Sequence, residues 1–508
     1  MAKLSDLSDE LLQRIITHIG PVPWYPEQSG QHKHQLMDNR MGTSIFAERT
    51  RPHEALIHQP GGGHTWYLSQ DTDHPDPSQV SWPEGLPQNK LVPLALINRS
   101  FRRCAQPRLF ENVTLRSQWQ ACLFLQKLRE GVLKIGSSSE TNPPCLSPLA
   151  QHVRSLLFQD RAWRPPCSMG MGGGSLICEL IRSCPLLENV AINIRFYNRC
   201  KDPILEALAS RPCIKDFVLL EEAAGHTHHD FEEVKCLADE IVVRLFSKWS
   251  VLETVELHSL SGRPVEMIKP IHASITLPNC PLHTIILTEP DLDKKELALI
   301  LKSAGESLRT LKISRPSSKL DRPGLCWILK ECTGPGLESL TVAIARSWHI
   351  IRSSDNDELS EDPAKNRGLF EIVFKTSLAL KNLKSLSIEG RLTNSALFAS
   401  LPPSIMKLRW GGCHLTPAGF AQALSSWSNY PPDQPAGGHD KYIPWLPNLK
   451  CCTIMGDGNW DNEERSAIHV LLEERRACFH REVQDTSSFD SENDEMASWE
   501  DDNYECCC

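Results

Sequence analysis

The chain lacks a long apolar run, a basic excess and a catalytic signature, and each shortage removes a class of protein. No stretch of the 508 residues approaches the roughly 18 consecutive apolar positions that a membrane helix needs, so no membrane span is expected. Lys and Arg number 54 against 63 Asp and Glu, a net charge of −9. Nucleic-acid phosphates call for a basic surface, so no nucleic-acid partner is expected. The start, Met1-Ala-Lys-Leu-Ser-Asp, has no apolar core of the signal-peptide kind. The 19 cysteines are therefore expected to be reduced thiols of a cytoplasmic or nuclear protein, with Cys178, Cys326 and Cys452 set in apolar periodic segments.

Catalytic constellations are missing as well. The chain has no GxxxxGK[ST] loop, no GxSxG elbow and no HExxH helix. Gly170 to Gly174 is glycine-rich but follows no suitable strand. His226, His228, His229 and Asp230 crowd ligand-type residues into five positions, too close in sequence to close a tetrahedron, and read as a polar loop. Cys413, Cys451 and Cys452 lack CxxC spacing. No enzyme activity, cofactor or metal is expected.

What the chain does have is a recurring apolar triplet, L-x-x-L-x-L. Its copies are Val153/Leu156/Phe158, Leu187/Val190/Ile192, Ile214/Phe217/Leu219, Leu252/Val255/Leu257 and Leu282/Ile285/Leu287. They continue as Leu308/Leu311/Ile313, Leu337/Leu340/Val342, Leu383/Leu386/Ile388, Ile405/Leu408/Trp410 and Leu449/Cys452/Ile454. The second and third positions alternate with other residues, as in a strand with one buried face. Helical patterns fall between copies, among them 176–181, 204–208, 234–249, 294–301, 370–374 and 417–424. One copy cannot bury its own apolar face; a stack can. The unit of parallel strand, loop and helix resembles the leucine-rich repeat. That resemblance implies an α/β fold, an irregular solenoid or horseshoe over residues 149–480, with the strands on its concave face. The spacing is uneven, and polar insertions near 226–230, 353–366 and 430–442 fill the wide gaps.

Residues between the apolar ones of each strand would line the concave face. Asn189, Asn193, Asp216, Thr254, Glu256, His258, Thr284, Thr288, Lys312, Glu389, Lys407 and Arg409 are the candidate target-binding strip. Its mixed charge suits a protein or peptide better than a polyanion.

The N-terminal part is organised differently. Leu4 to Gly20 reads as one amphipathic helix with Ser8 or Asp9 as cap and Gly20-Pro21 as stop. Residues 21–90 are rich in Pro, Gly, His, Gln and Asp and read as a largely disordered insertion. Order returns at Leu91, with a short helix near 92–98, a basic helix near 99–106 and a strand-like Phe110 to Leu115. Leu7, Glu10, Leu11, Leu12, Ile15, Ile16 and Ile19 match the first half of the F-box pattern, and Leu94, Leu96, Ile97, Phe101, Arg102 and Arg103 match its second half. Residues 1–20 with 91–115 thus resemble an F-box, a small all-α module. Ser8 stands where that pattern usually has Pro, and Asn98 where it usually has Cys. The family resemblance implies a substrate-recognition subunit of an SCF-type ubiquitin ligase. Leu7, Glu10, Leu11, Leu12, Ile15, Ile16, Ile19, Leu94, Leu96, Ile97 and Phe101 would then meet a Skp-family adaptor, and through it a cullin scaffold, while the repeats hold a target protein. A leucine-rich-repeat scaffold with no ubiquitin role is the alternative.

Residues 116–148 form a connecting helix and linker. Asn462 to His480 reads as a charged capping helix. Residues 481–508 form an acidic tail, expected to be disordered, ending in Cys506-Cys-Cys508.

Overall fold

A computed structural model describes residues 7–19, 91–115, 118–129, 147–158, 173–193, 200–220, 236–262, 281–345, 347–351, 360–376, 378–413, 415–425, 445–455 and 460–482. The insertion at 21–90 and the His226–Asp230 loop lie outside them, as does the acidic tail beyond Glu482; its first two residues, Arg481 and Glu482, belong to a strand instead.

A single parallel sheet of twelve strands runs through the described residues, with helices on one face. Its strands are β1 (Asn112–Leu115), β2 (Ser155–Phe158), β3 (Asn189–Asn193), β4 (Asp216–Leu220), β6 (Thr254–His258) and β8 (Thr284–Thr288). They continue as β9 (Thr310–Ser314), β10 (Ser339–Ala343), β11 (Ser385–Glu389), β12 (Lys407–Gly411), β13 (Cys451–Met455) and β14 (Cys478–Glu482). Strands pair in chain order, and every pair is parallel. The short strands β5 (Cys236–Leu237) and β7 (Leu260–Ser261) pair apart from the main sheet. The fold is mixed α/β.

The triplets dictate this order. Leu156, Val190, Phe217, Val255, Ile285, Leu311, Leu340, Leu386, Leu408 and Cys452 fall in one register row across the sheet, all buried. The third positions, Phe158 through Ile454, form a second buried row two residues on. The leading residues, Val153 through Leu449, are buried where the chain bends into each strand. Period-two alternation sends both rows to the helix side, where each large side chain contributes roughly 1.5–3 kcal/mol by leaving water.

The turn leaving the strands also repeats. Ser259, Glu289, Arg315, Gly390 and Gly412 each follow a strand end with φ between +51° and +95°. In four of these turns the N–H donates to the last carbonyl of the next strand: Ser259 to Thr288, Glu289 to Ser314, Arg315 to Ala343 and Gly390 to Gly411. Only Gly390 has no alternative, because a Cβ there would stand 2.4 Å from Ile344 Cγ1 and 2.9 Å from its carbonyl oxygen.

Two strands extend the array beyond the ten copies read from the sequence. Phe110-x-x-Val113-x-Leu115 is a further triplet: Val113 pairs with Leu156 and Leu115 with Phe158. The strand closing the N-terminal module is thus the first strand of the sheet. At the other end, the helix expected over 462–480 stops at Glu474. Arg476 turns with φ +56°, the Arg475 guanidinium donates to the Trp445 and Leu446 carbonyls, and the chain continues as β14. The helical pattern at 234–249 is likewise broken. It holds β5, one α-turn (Ala238–Ile241) and a π-turn (Val242–Phe246).

Among the described cysteines there is no disulfide. Cys178, Cys326 and Cys452 are buried, and burial pushes each thiol up. No helix among the described residues is long and apolar enough to cross a membrane.

Candidate functional site

Three helices stand before the sheet: α1 (Asp9–Ile19), α2 (Leu91–Ile97) and α3 (Arg99–Leu109). Their sequence sets their ends. Ser8 Oγ accepts from the Leu11 N–H at 3.5 Å, and Asn98 Oδ1 accepts from the Phe101 N–H at 2.9 Å. Ser8 and Asn98, which stand where the F-box pattern usually has Pro and Cys, are therefore the caps of α1 and α3, where short polar side chains satisfy otherwise unpaired donors. Asp9 is used elsewhere: it pairs with Arg103 of α3, and that hydrogen bond raises the Arg103 guanidinium.

The candidate adaptor residues divide into two sets. Leu12, Ile16 and Phe101 are 0%, 1% and 1% exposed. With Leu91, Cys104 and Ala105 they make the module's own core, and Leu7 and Leu94 pack against it half-buried. Leu12, Ile16 and Phe101 thus hold the module together and offer no surface to a partner. The helical period places their neighbours on the other side. Leu11 is 47% exposed, Ile15 37%, Leu96 69% and Ile97 53%, and Glu10 is exposed beside them. The side chain of Ile19 is outside the described set.

The module is fixed to the sheet without a linker. Helix α3 runs through Phe110 into β1, and Arg108 pairs with Glu111 at 2.7 Å across the turn. Phe110 stacks on Phe124 of α4 (Gln118–Arg129).

The sheet's helix-free face is the second candidate surface, and it is not uniform. Leu157, Ala191 and Val218 face each other across β2 to β4 and form a small buried apolar cluster there. Asn189, Asn193, Asp216, Thr254, Glu256 and His258 are buried too. Asn189 reaches Asp216 Oδ2 at 2.5 Å once its amide nitrogen is turned toward that strand. His258 Nδ1 lies 2.9 Å from Ser259 Oγ, and its Nε2 lies 3.4 Å from Glu289, which also meets Arg315 at 3.0 Å. These six positions, expected to be a binding surface, are buried and offer a partner little surface. Farther along, Thr284, Thr288, Lys312 and Glu389 are half-buried, and Lys407 and Arg409 are exposed. This open part carries charge of both signs. Burial lowers Lys312, Glu256 raises it, Arg409 lowers it and Glu389 raises it.

A third cluster escaped the sequence reading. Cys451, Cys478 and His480 converge on β13 and β14, with one donor atom from each within 4.8 Å of the others. Burial and the facing Cys478 thiol push Cys451 up to about 12. The signal that would have found it is register: Cys451 and Cys478 are partners on adjacent strands. Cys413, by contrast, is bound within its turn, near the carbonyls of Gly390 (3.2 Å) and Gly411 (3.3 Å).

No family model matches this chain, and no curated protein matches it in sequence.

Proposed function

We propose that this chain is the substrate-recognition subunit of an SCF-type ubiquitin ligase, with an F-box-like module at 7–19 and 91–109 and leucine-rich repeats behind it. The observation that carries the reading is the outward set Leu11, Ile15, Leu96 and Ile97 on a module whose core is already complete. Four large apolar side chains exposed on one small module favour a partner that covers them, and a groove on a Skp-family adaptor is the partner that the sequence resemblance implies.

In this reading the adaptor links the chain to a cullin scaffold, and the open part of the sheet face, from β8 to β12, receives the target protein. Lys312, Glu389, Lys407 and Arg409 contribute charge of both signs that favours a polar protein segment of complementary charge. The chain performs no covalent step itself. It raises the local concentration of target beside the ubiquitin-charged enzyme.

Co-purification tests this. Tagged wild-type chain is expected to bring down a Skp-family protein and a cullin. Leu11→Asp and Ile97→Asp are expected to lose both while the far-ultraviolet circular dichroism stays unchanged. Capture of neither protein by the wild-type chain would leave a repeat scaffold without a ubiquitin role.

A further inference from the structure

Cys451 and Cys478 lie directly opposite one another on β13 and β14, the last two strands of the sheet. His480 is two residues beyond Cys478, so its side chain leaves the strand on the same side. One Sγ from each cysteine and a ring nitrogen of His480 lie within 4.8 Å of one another. In a tetrahedral zinc site with Zn–S bonds of about 2.3 Å, neighbouring sulfurs are about 3.7 Å apart. Small side-chain rotations close that difference.

We propose that Cys451, Cys478 and His480 form a binding site for a thiophilic divalent cation of the zinc class, which clamps the edge strand β14 to the rest of the sheet. The donor set argues for the cation. Two thiolates and an imidazole suit zinc, whereas magnesium and calcium take oxygen ligands, and no carboxylate belongs to the cluster. Accessibility argues the same way. Cys478 is exposed, while Cys451 and His480 are half-buried, so an ion has a path in and a fourth position open to water. Binding releases the two thiol protons to solvent, and the neutral imidazole donates its lone pair, so no redox partner is required. The position gives the site a purpose. Among the described residues β14 is held to the main sheet by backbone hydrogen bonds on one side only, and a metal bridge ties its side chains to β13 as well.

Cobalt(II) is a suitable probe, because thiolate ligation gives an intense near-ultraviolet charge-transfer band and tetrahedral geometry gives strong visible bands. The experiment uses the full chain with Cys506, Cys507 and Cys508 changed to Ser, so that the terminal thiols add no signal. One equivalent of cobalt is expected to bind with both features and to be displaced by zinc. Cys478→Ser and Cys451→Ser are each expected to weaken the charge-transfer band and the affinity. His480→Gln is expected to keep the band but lower the affinity. Because Cys478 is exposed, Cys478→Ser is expected to melt like the parent chain in the absence of metal, so its loss of cobalt cannot be put down to unfolding. The proposal is overturned if no band forms, if Cys478→Ser and Cys451→Ser bind cobalt as the parent does, or if the protein purified without reductant holds a Cys451–Cys478 disulfide.

Discussion

Phe110 and Phe124 stack with ring centroids 6.0 Å apart and planes 13° from parallel. Phe110 ends the N-terminal helical module and opens the first triplet of the sheet, so one ring belongs to both. The module is therefore continuous with the sheet rather than tethered to it. Phe110→Ala should cost about 2–3 kcal/mol, somewhat below the range for a fully buried ring because Phe110 is only half-buried. Urea unfolding measures this. Trp119→Ala, at a highly exposed ring nearby, should shift stability by no more than about 0.5 kcal/mol.

Arg322 should be among the least replaceable charges. It begins α5 (Arg322–Glu331), is buried, and donates to four carbonyls: Pro363 (3.0 Å), Arg391 (3.0 Å), Asn366 (2.9 Å) and Arg367 (3.0 Å). Burial lowers it to about 10. Arg322→Met fills the volume but takes the guanidinium donors from those carbonyls, of which Arg367's still accepts from the Leu369 N–H, and this should cost about 3–5 kcal/mol. A fall in melting temperature checks this. Arg391→Met, whose side chain is exposed, is the control.

Glu371 should give stability a pH dependence of unusual sign for a carboxylate. It lies in α6 (Leu369–Thr376), and its Oε1 accepts from the Asn394 N–H at 2.7 Å. Burial nonetheless pushes the carboxyl up to about 7. Between the ordinary carboxylate range and about pH 7 the folded chain holds a proton that the unfolded chain has lost. The contribution is therefore full below about pH 4.5 and falls as pH rises through 7, by up to about 3 kcal/mol. Urea midpoints from pH 5 to 8 should show Glu371→Gln gaining on the wild type as pH rises. Parallel curves for the two would contradict this.

Asn98 caps α3, so Asn98→Ala should lower stability by about 1 kcal/mol, and Asn98→Asp should restore most of it. Thermal melts of the two variants decide this.

The repeat was legible because its physics is local. An alternating apolar pair with a leading apolar residue specifies a strand and its buried face wherever it occurs, and all ten copies fall in one register. The two end strands were harder for opposite reasons. Phe110-x-x-Val113-x-Leu115 fits the pattern but sits inside a stretch that also matched a helical module. In β14 the positions equivalent to the first and third triplet residues are Arg476 and Arg481, so only Phe479 carries the signal. The module's helices were legible, but not the division between Leu12, Ile16 and Phe101 inside and Leu11, Ile15, Leu96 and Ile97 outside. A helical stripe wide enough for two faces does not say which one the protein fills itself. The closure of the sheet face around Leu157, Ala191 and Val218 was equally hidden. Alternation says which residues share a face, and covering that face depends on the rest of the chain.

The most direct measurement is a calorimetric titration of the purified chain with a purified Skp-family adaptor. The wild type should bind saturably and one-to-one, Leu11→Asp and Ile97→Asp should lose binding, and both variants should keep the wild-type melting temperature. No heat from the wild type, or equal binding by the two variants, would contradict this.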